Sequence, residues 1–242
     1  MKTKQREPSR NNMAGRRVFL KQGLRISAVT SIGGISLLTG CKNNEDSLEK
    51  EVSPPEDLMQ EHGVLNRILL IYDACRIRLV NKEAFPRGAI GKAAGIIRSF
   101  VEDYHEKQEE EYLFPRFQKA NQLMALVDVL SEQHRAGRKI TDQIIQLTKP
   151  SVITDTENQR LIQLLTSFNR MYRPHEARED TVLFPAFRKI VSKHEYDALG
   201  EDFEKNEHRL FGKDGFEVMV TRVADIERQL GIYELDQFTP TI

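Results

Sequence analysis

Two stretches of this 242-residue chain have nearly the same pattern: HEKQEEEYLFPRF at 105–117 and HEAREDTVLFPAF at 175–187. The His, the Glu four residues after it and the Leu-Phe-Pro run recur at an offset of 70 residues. A related pair, EH at 61–62 and QH at 133–134, recurs at an offset of 72. The pattern indicates an internal duplication in which each half provides one lone His and one His-x-x-x-Glu.

The chain around this duplication is predicted to be all-α. Apolar residues make up 39 % and charged residues 30 %, which excludes a multispanning membrane protein and a disordered chain. Apolar positions recur every three or four residues, as on the buried face of a helix. Helices are predicted at 56–81, 87–113, 122–148 and 155–184, the second ended by Pro115 and the fourth followed by Pro185. We expect an up-and-down four-helix bundle at 56–190 and a helical extension at 191–242 packed on it.

The duplicated residues predict a metal site. A spacing of four places an imidazole and a carboxylate on one helix face, and two antiparallel hairpins bring both pairs into one interior. These donors suit iron, manganese or zinc. Six donors are more than one tetrahedral zinc takes and fewer than two six-coordinate irons need, so an open di-metal site is predicted. The candidate ligands are His62, His105, Glu109, His134, His175 and Glu179.

The paired motifs over about 56–190 resemble those of the hemerythrin-like, or HHE cation-binding, family. The resemblance implies a non-haem di-iron centre in which Glu109 and Glu179 bridge the ions and the four histidines are terminal ligands. It also implies dioxygen, or another small diatomic or peroxide molecule, as the ligand. Oxygen-carrying members have a second His four residues after the one on the third helix, where this chain has Arg138. One iron would thus lose a His ligand.

Two functional classes stay open: a protein that binds or senses a small ligand without turnover, and a di-iron redox enzyme such as a peroxidase, an oxidase or a nitric-oxide-handling protein. A bundle held by structural zinc is a third reading. No nucleophile site, phosphate loop or basic groove is found, so no catalytic residue is assigned and nucleic acid is not expected as a partner. Candidates for an extra ligand or for neighbours of the ligands are His208, Glu106, Tyr112 and Tyr172, with an ordinary histidine, ion pairing and core filling as their alternatives.

The first forty residues resemble an export signal. They contain eight Lys or Arg and one acidic residue, and their apolar part, 26–40, is shorter than a membrane-spanning helix. Arg16 and Arg17, followed by x-Phe-Leu-Lys, resemble a twin-arginine signal. The alternative is a disordered basic tail.

A lipid anchor is predicted at the end of this signal. The run LTGC, which ends at Cys41, resembles a bacterial lipobox, in which the Cys is acylated and becomes the mature N-terminus. We therefore expect an exported protein on the periplasmic or cell-surface side, anchored in a membrane through Cys41. Residues 41–55 are polar, end in a Pro pair and are predicted to form a flexible tether.

Overall fold

The computed structural model describes residues 53–150, 152, 154–212 and 215–241, and within them all regular structure is helical. None of the described helices has the length and apolar character needed to cross a membrane. The predicted export and lipidation residues Arg16, Arg17 and Cys41 lie outside the described residues. The elements are α1 (Pro54–Asn81), α2 (beginning with Gly88–Ile96 and ending with Phe114–Ala120), α3 (Met124–Thr148), α4 (beginning with Asp155–Arg178 and ending with Phe184–Ile190), α5 (Lys193–Phe211), α6 (Gly215–Leu230) and a short 3₁₀ turn (Leu235–Phe238).

Helix α1 begins at Pro54, inside the range 41–55 that was predicted to form a flexible tether. Ser53 is its N-cap, and the Ser53 backbone N–H donates to the Glu56 carboxylate at 3.0 Å. Pro54 and Pro55 form the first turn, where the missing N–H of proline costs no hydrogen bond. The prediction that the tether reaches residue 55 is therefore wrong for residues 54 and 55, because the proline pair starts the helix.

Helices α2 and α4 continue through the prolines that were expected to stop them. A wide π-helical turn precedes each proline, at Glu109–Leu113 in α2 and at Glu179–Leu183 in α4. Pro115 and Pro185 then lie in the first turn of the next α-helical segment, where their ring does not clash and no N–H is needed. The predicted helix ends at 113 and 184 are wrong for this reason, and both helices extend through the Leu-Phe-Pro run.

Helix α4 begins with a reciprocal cap. Thr154, one residue before the predicted helix start at 155, is the N-cap, and its hydroxyl accepts from the Glu157 N–H at 3.2 Å. The Glu157 carboxylate in turn accepts from the Thr154 N–H at 2.7 Å. This Thr-x-x-Glu arrangement satisfies two backbone donors at the helix start.

Two apolar clusters divide the interior. The large cluster includes Leu65, Ile68, Phe100, Ile144 and Phe168. The small cluster includes Leu58, Phe114, Leu130, Phe184 and Phe203. On each of α1 to α4, the predicted metal ligands lie in the sequence between the residues of one cluster and those of the other. A buried polar layer therefore separates the two clusters.

The C-terminal helices α5 and α6 pack on α1 and α2. The Arg67 guanidinium Nε donates to Glu227 at 2.9 Å, and Arg78 donates to the Leu230 carbonyl at 2.7 Å. The ring centroids of Phe203 and Tyr112 are 5.6 Å apart. The described part of 191–242 thus contains two helices and a short 3₁₀ turn.

Candidate metal centre

The six predicted donors come together in one buried layer, with one His from each of α1 and α3 and a His-Glu pair from each of α2 and α4. The carboxylates of Glu109 and Glu179 have no exposed surface, and the four histidines are at most 4 % exposed. The widened turns begin at these two glutamates. The Leu-Phe-Pro runs that follow add Phe114 and Phe184 to the small cluster.

One half of the centre is formed by His62 and His105. Their ring centroids are 4.7 Å apart. The Nε2 atom of His62 lies 3.3 Å from Glu179 Oε2, and that of His105 lies 3.8 Å from Glu109 Oε2. The ring of His62 stacks on Phe184 at 5.6 Å between centroids.

The other half is formed by His134 and His175. Their Nε2 atoms are 3.2 Å apart. His134 Nε2 lies 3.4 Å from Glu109 Oε2, and His175 Nε2 lies 3.1 Å from Glu179 Oε1. Each carboxylate thus faces one imidazole of each half, the position that a bridging ligand occupies.

Each imidazole is oriented by a hydrogen bond on its far side. The Nδ1 atoms of His62, His105 and His175 lie 2.8 Å from an acceptor, and that of His134 lies 3.2 Å from one. Because these acceptors are carboxylate or amide oxygens, each Nδ1 carries a proton and each Nε2 faces the centre, where its lone pair is available whenever the ring is neutral. The acceptors, in the same order, are Asp180, Glu61, Gln133 and, for His134, Glu110.

Sequence reasoning missed these acceptors as functional residues. The available signal was their position, since each directly precedes or follows a predicted ligand and each recurs in the duplication. Assigning the partners was not possible, because His62 and Asp180 are 118 residues apart and meet only in the folded chain.

The arrangement fits a cation. The Nε2 atoms of His134 and His175 face each other at 3.2 Å, so the lone pairs of two neutral rings would repel, and either a proton or a metal ion between them removes the repulsion. Among the described residues, no side-chain or backbone donor makes a hydrogen bond of good geometry to Glu109 or Glu179. Metal-to-nitrogen bonds of about 2.1 Å at roughly right angles to each other place two donors about 3 Å apart, close to the separations here. Three overlapping groups of donors each lie within 4.8 Å of one another: Glu109, His134, His175 and Glu179; His62, His105 and Glu109; and Glu106, Glu110 and His134.

In the metal-free protein, bound protons balance the negative charge of the two buried carboxylates. Burial and the neighbouring Glu179 raise the pKa of Glu109 well above its usual value. Burial also opposes ionisation of Glu179, but His175 and His62 outweigh it and hold the pKa of Glu179 well below the usual value. Burial lowers the pKa of His134 to about 4. His134 is therefore neutral at pH 7, the form that binds a metal ion.

A buried polar network lies beside the His134 half. Tyr172 donates to Glu106 at 2.6 Å, and its ring centroid is 5.3 Å from that of His175. Arg138 lies 2.7 Å from Glu106 and 2.6 Å from Glu110. Arg138, the departure from the oxygen-carrier pattern, therefore binds the carboxylates next to the ligands, and Glu106 is an ion-pair partner and neighbour of the centre.

Two of the other candidates lie elsewhere. The Tyr112 hydroxyl accepts from Asn206 at 3.4 Å, and its ring packs on Phe203 of α5. His208 is half-buried on α5 and does not belong to any of the donor groups found in the described part of the chain. The structure brings Tyr172 and Glu106 to the centre, and not Tyr112 or His208.

Comparison with known proteins agrees with this geometry. Residues 53–158 match the Hemerythrin HHE cation binding domain, a range that includes His62, His105, Glu109 and His134 and ends before His175. The chain is 44 % identical over 230 residues to "Uncharacterized protein Rv1995" of Mycobacterium tuberculosis (strain ATCC 25618 / H37Rv), covering 90 % of this chain and 89 % of that protein. It matches "Uncharacterized protein Mb2018" of Mycobacterium bovis (strain ATCC BAA-935 / AF2122/97) to the same extent. The chain belongs to one family with these mycobacterial proteins and contains a match to the HHE cation-binding domain. No solved structure matches it.

Proposed function

We propose that the chain holds two non-haem iron ions and reversibly binds or senses dioxygen, or a related small diatomic or peroxide ligand. The observation that carries this proposal is the convergence of four Nε2 atoms and two shared carboxylates in one buried layer. His62 and His105 would hold one ion and His134 and His175 the other, with Glu109 and Glu179 bridging. Manganese or zinc has the same donor preferences and is the alternative occupant.

The proposed architecture is an up-and-down four-helix bundle. Going along the chain, α1 and α3 pass from the small cluster to the large one, whereas α2 and α4 pass from the large cluster to the small one. This alternation supports antiparallel neighbours. It also accounts for the meeting of the duplicated ligands at one level of the bundle.

The protein's own residues hold and shield the centre. Phe184 and Phe114 stack on His62 and His134 and close the layer on the side of the small cluster. The four outward hydrogen bonds fix the imidazoles, so no ring has to turn when an ion binds. The iron pair would supply reversible electron exchange with a bound ligand. Six protein donors leave coordination positions open for that ligand.

Metal content tests the assignment. The purified full chain is expected to hold about two irons, as other carboxylate-rich di-iron bundles do. His105→Ala and Glu179→Ala are expected to lose iron, measured by elemental analysis. His208→Ala is the matched control, because it removes a half-buried histidine outside the donor groups, and it should keep the wild-type content. Wild-type iron in both ligand variants would overturn the assignment.

A redox enzyme is the second candidate, and the position of Tyr172 favours it. This buried tyrosine is next to His175 and hydrogen-bonded to a carboxylate, an environment in which a phenol can give up an electron and a proton. Anaerobic reduction followed by exposure to air distinguishes the two functions. Reversible return of a visible charge-transfer band supports ligand binding, whereas a transient band with continued consumption of reductant supports the enzyme.

We also propose that the protein is exported and anchored through a lipid on Cys41. The support is the order of the two signals in the sequence, with Arg16 and Arg17 first and the lipobox-like run ending at Cys41 after them. The centre would then lie on the outer side of the membrane that carries the anchor.

A further inference from the structure

We propose that the two metal positions have unequal affinity, with the ion of the His62 and His105 half held more tightly than the ion of the His134 and His175 half. The inference rests on the proposed function, since it assumes two ions. It comes from residues that do not touch the ions: the hydrogen-bond acceptors behind the four imidazoles.

The four hydrogen-bond acceptors occupy equivalent positions in the two halves of the duplication, but one of them is a neutral amide where its counterpart is a carboxylate. His105 and His175 are equivalent histidines, 70 residues apart, and each donates its Nδ1–H at 2.8 Å to the residue that precedes the lone histidine. That residue is Glu61 for His105 and Gln133 for His175. One imidazole is therefore polarised by a carboxylate and its counterpart by a neutral amide.

The second acceptor pair differs in the same direction. Asp180 accepts from His62 at 2.8 Å, whereas the equivalent Glu110 lies 3.2 Å from His134. Glu110 also contacts Arg138 at 2.6 Å and forms an ion pair with Lys107. Two cations share its charge, so Glu110 polarises its imidazole less than Asp180 does.

A fixed positive charge adds to the difference. Arg138 is 72 residues after Asn66, and the two occupy equivalent places: Asn66 donates to Glu176 and Arg138 pairs with Glu106. The duplication therefore puts a guanidinium beside the His134 half and a neutral amide beside the His62 half. A guanidinium disfavours a nearby cation more than an amide does, and Glu106 and Glu110 offset part of the charge of Arg138.

The number of donor atoms around each position, taken alone, would favour tighter binding at the His134 and His175 half. Four donors lie within 4.8 Å of one another around His134 and His175, against three around His62 and His105. However, the missing fourth donor is close, since Glu179 Oε2 is 3.3 Å from His62. Loss of one outer hydrogen-bond partner typically changes metal affinity about 10- to 100-fold, so the three outer differences outweigh a small carboxylate movement.

Solvent access agrees with the same order. A surface cleft of about 310 Å³ is lined by Glu110, Phe114 and Arg138. Glu110 accepts a hydrogen bond from His134, Phe114 stacks on the His134 ring, and Arg138 donates to Glu110. The proposed weaker position is thus the one nearer this cleft, whose lining includes none of the six ligands.

Titration of the metal-free full chain with Fe²⁺ under anaerobic conditions, in competition with a chromophoric chelator, tests the proposal. Two dissociation constants are expected, separated by about tenfold or more beyond the statistical factor. Gln133→Glu should tighten the weaker step about tenfold and leave the stronger one unchanged, whereas Glu61→Gln should weaken the stronger step by about 10- to 100-fold. The double exchange should restore two separated steps.

Each substitution exchanges only an oxygen and a nitrogen, so the shape of the site is kept. Glu132→Gln is the matched control, because it makes the same exchange at an exposed neighbour of Gln133, and it should change neither constant. Two equal constants in the wild type, or constants that neither Gln133→Glu nor Glu61→Gln shifts, would overturn the proposal. Binding of fewer than two ions would instead overturn the proposed di-iron function.

Discussion

The position of a single proton on each imidazole determines what this centre can hold. Four Nδ1–H groups donate outward, and four Nε2 atoms face inward toward two buried carboxylates. Spacing of four predicted the donors, because His105 and Glu109 share a face in any α-helix. Their partners were not predictable, because the contact of His105 with Glu61 depends on the rotation of one helix against another.

Glu176 gives the metal-free protein a pH-dependent stability. Burial raises the pKa of Glu176 to about 8, while an unfolded Glu ionises near pH 4.3. The folded form binds the proton more tightly, so stability is highest below the unfolded pKa and falls as the pH rises toward 8. Glu176→Gln should therefore stabilise the metal-free protein by about 4–5 kcal/mol at pH 8 and leave it almost unchanged at pH 4.

Urea unfolding at both pH values measures this effect. Glu111→Gln is the control, because it removes an exposed carboxylate from the equivalent region of α2. If Glu176→Gln kept the wild-type pH dependence, the buried Glu176 carboxyl would not be its source.

Gly137 makes room for Tyr172. A Cβ at this position would lie 2.1 Å from the tyrosine hydroxyl, so the ring would have to leave Glu106. Gly137→Ala is expected to cost about 1–3 kcal/mol of unfolding free energy through overpacking. Gly63→Ala, where no atom lies within 4 Å of the new Cβ, should instead gain about 0.5–1 kcal/mol. Equal urea midpoints for the two variants would contradict the close contact.

At the level of the helices, apolar periodicity predicted the elements correctly, but the positions of proline led to wrong predictions of where α2 and α4 end. The four long helices follow from apolar residues three and four apart, but Pro115 and Pro185 do not end them. A π-helical turn changes the hydrogen-bond pattern over only five residues, Glu109–Leu113 or Glu179–Leu183, and leaves no distinct apolar pattern to read. These turns begin at the two carboxylates of the centre.

Pro185 should be dispensable for stability. It occupies the first turn of Phe184–Ile190, so Pro185→Ala is expected to change the unfolding free energy by less than about 1 kcal/mol. Gln163→Pro, at an exposed position inside α4, should cost about 3 kcal/mol or more. Chemical denaturation compares them. A gain of about 3 kcal/mol from Pro185→Ala, the reverse of the Gln163→Pro cost, would show that this proline lies within an uninterrupted α-helix.

For the molecule as a whole, the sequence predicted an all-helical chain with a C-terminal extension but not where α5 and α6 pack. Their position depends on pairs such as Arg67 with Glu227, which are 160 residues apart. No local pattern encodes such a pair. The predicted export signal, by contrast, lies within residues 1–41. Export itself is tested by an experiment in cells.

Cell fractionation tests the export proposal in a bacterium with twin-arginine transport. Arg16→Lys combined with Arg17→Lys should leave the protein in the cytoplasmic fraction. Arg6→Lys combined with Arg10→Lys, which keeps the motif intact, should not. Mass spectrometry should find lipid on Cys41, and none after Cys41→Ser. Export of the variant in which both Arg16 and Arg17 are replaced, or a Cys41 without lipid in the wild type, would contradict the proposal.

Anomalous X-ray scattering at the iron edge, from crystals of the iron-loaded full chain, tests the dinuclear centre most directly. Two peaks about 3–4 Å apart are predicted, one between His62 and His105 and one between His134 and His175, with Glu109 and Glu179 between the peaks. A single peak, or iron bound away from these six side chains, would contradict a dinuclear centre.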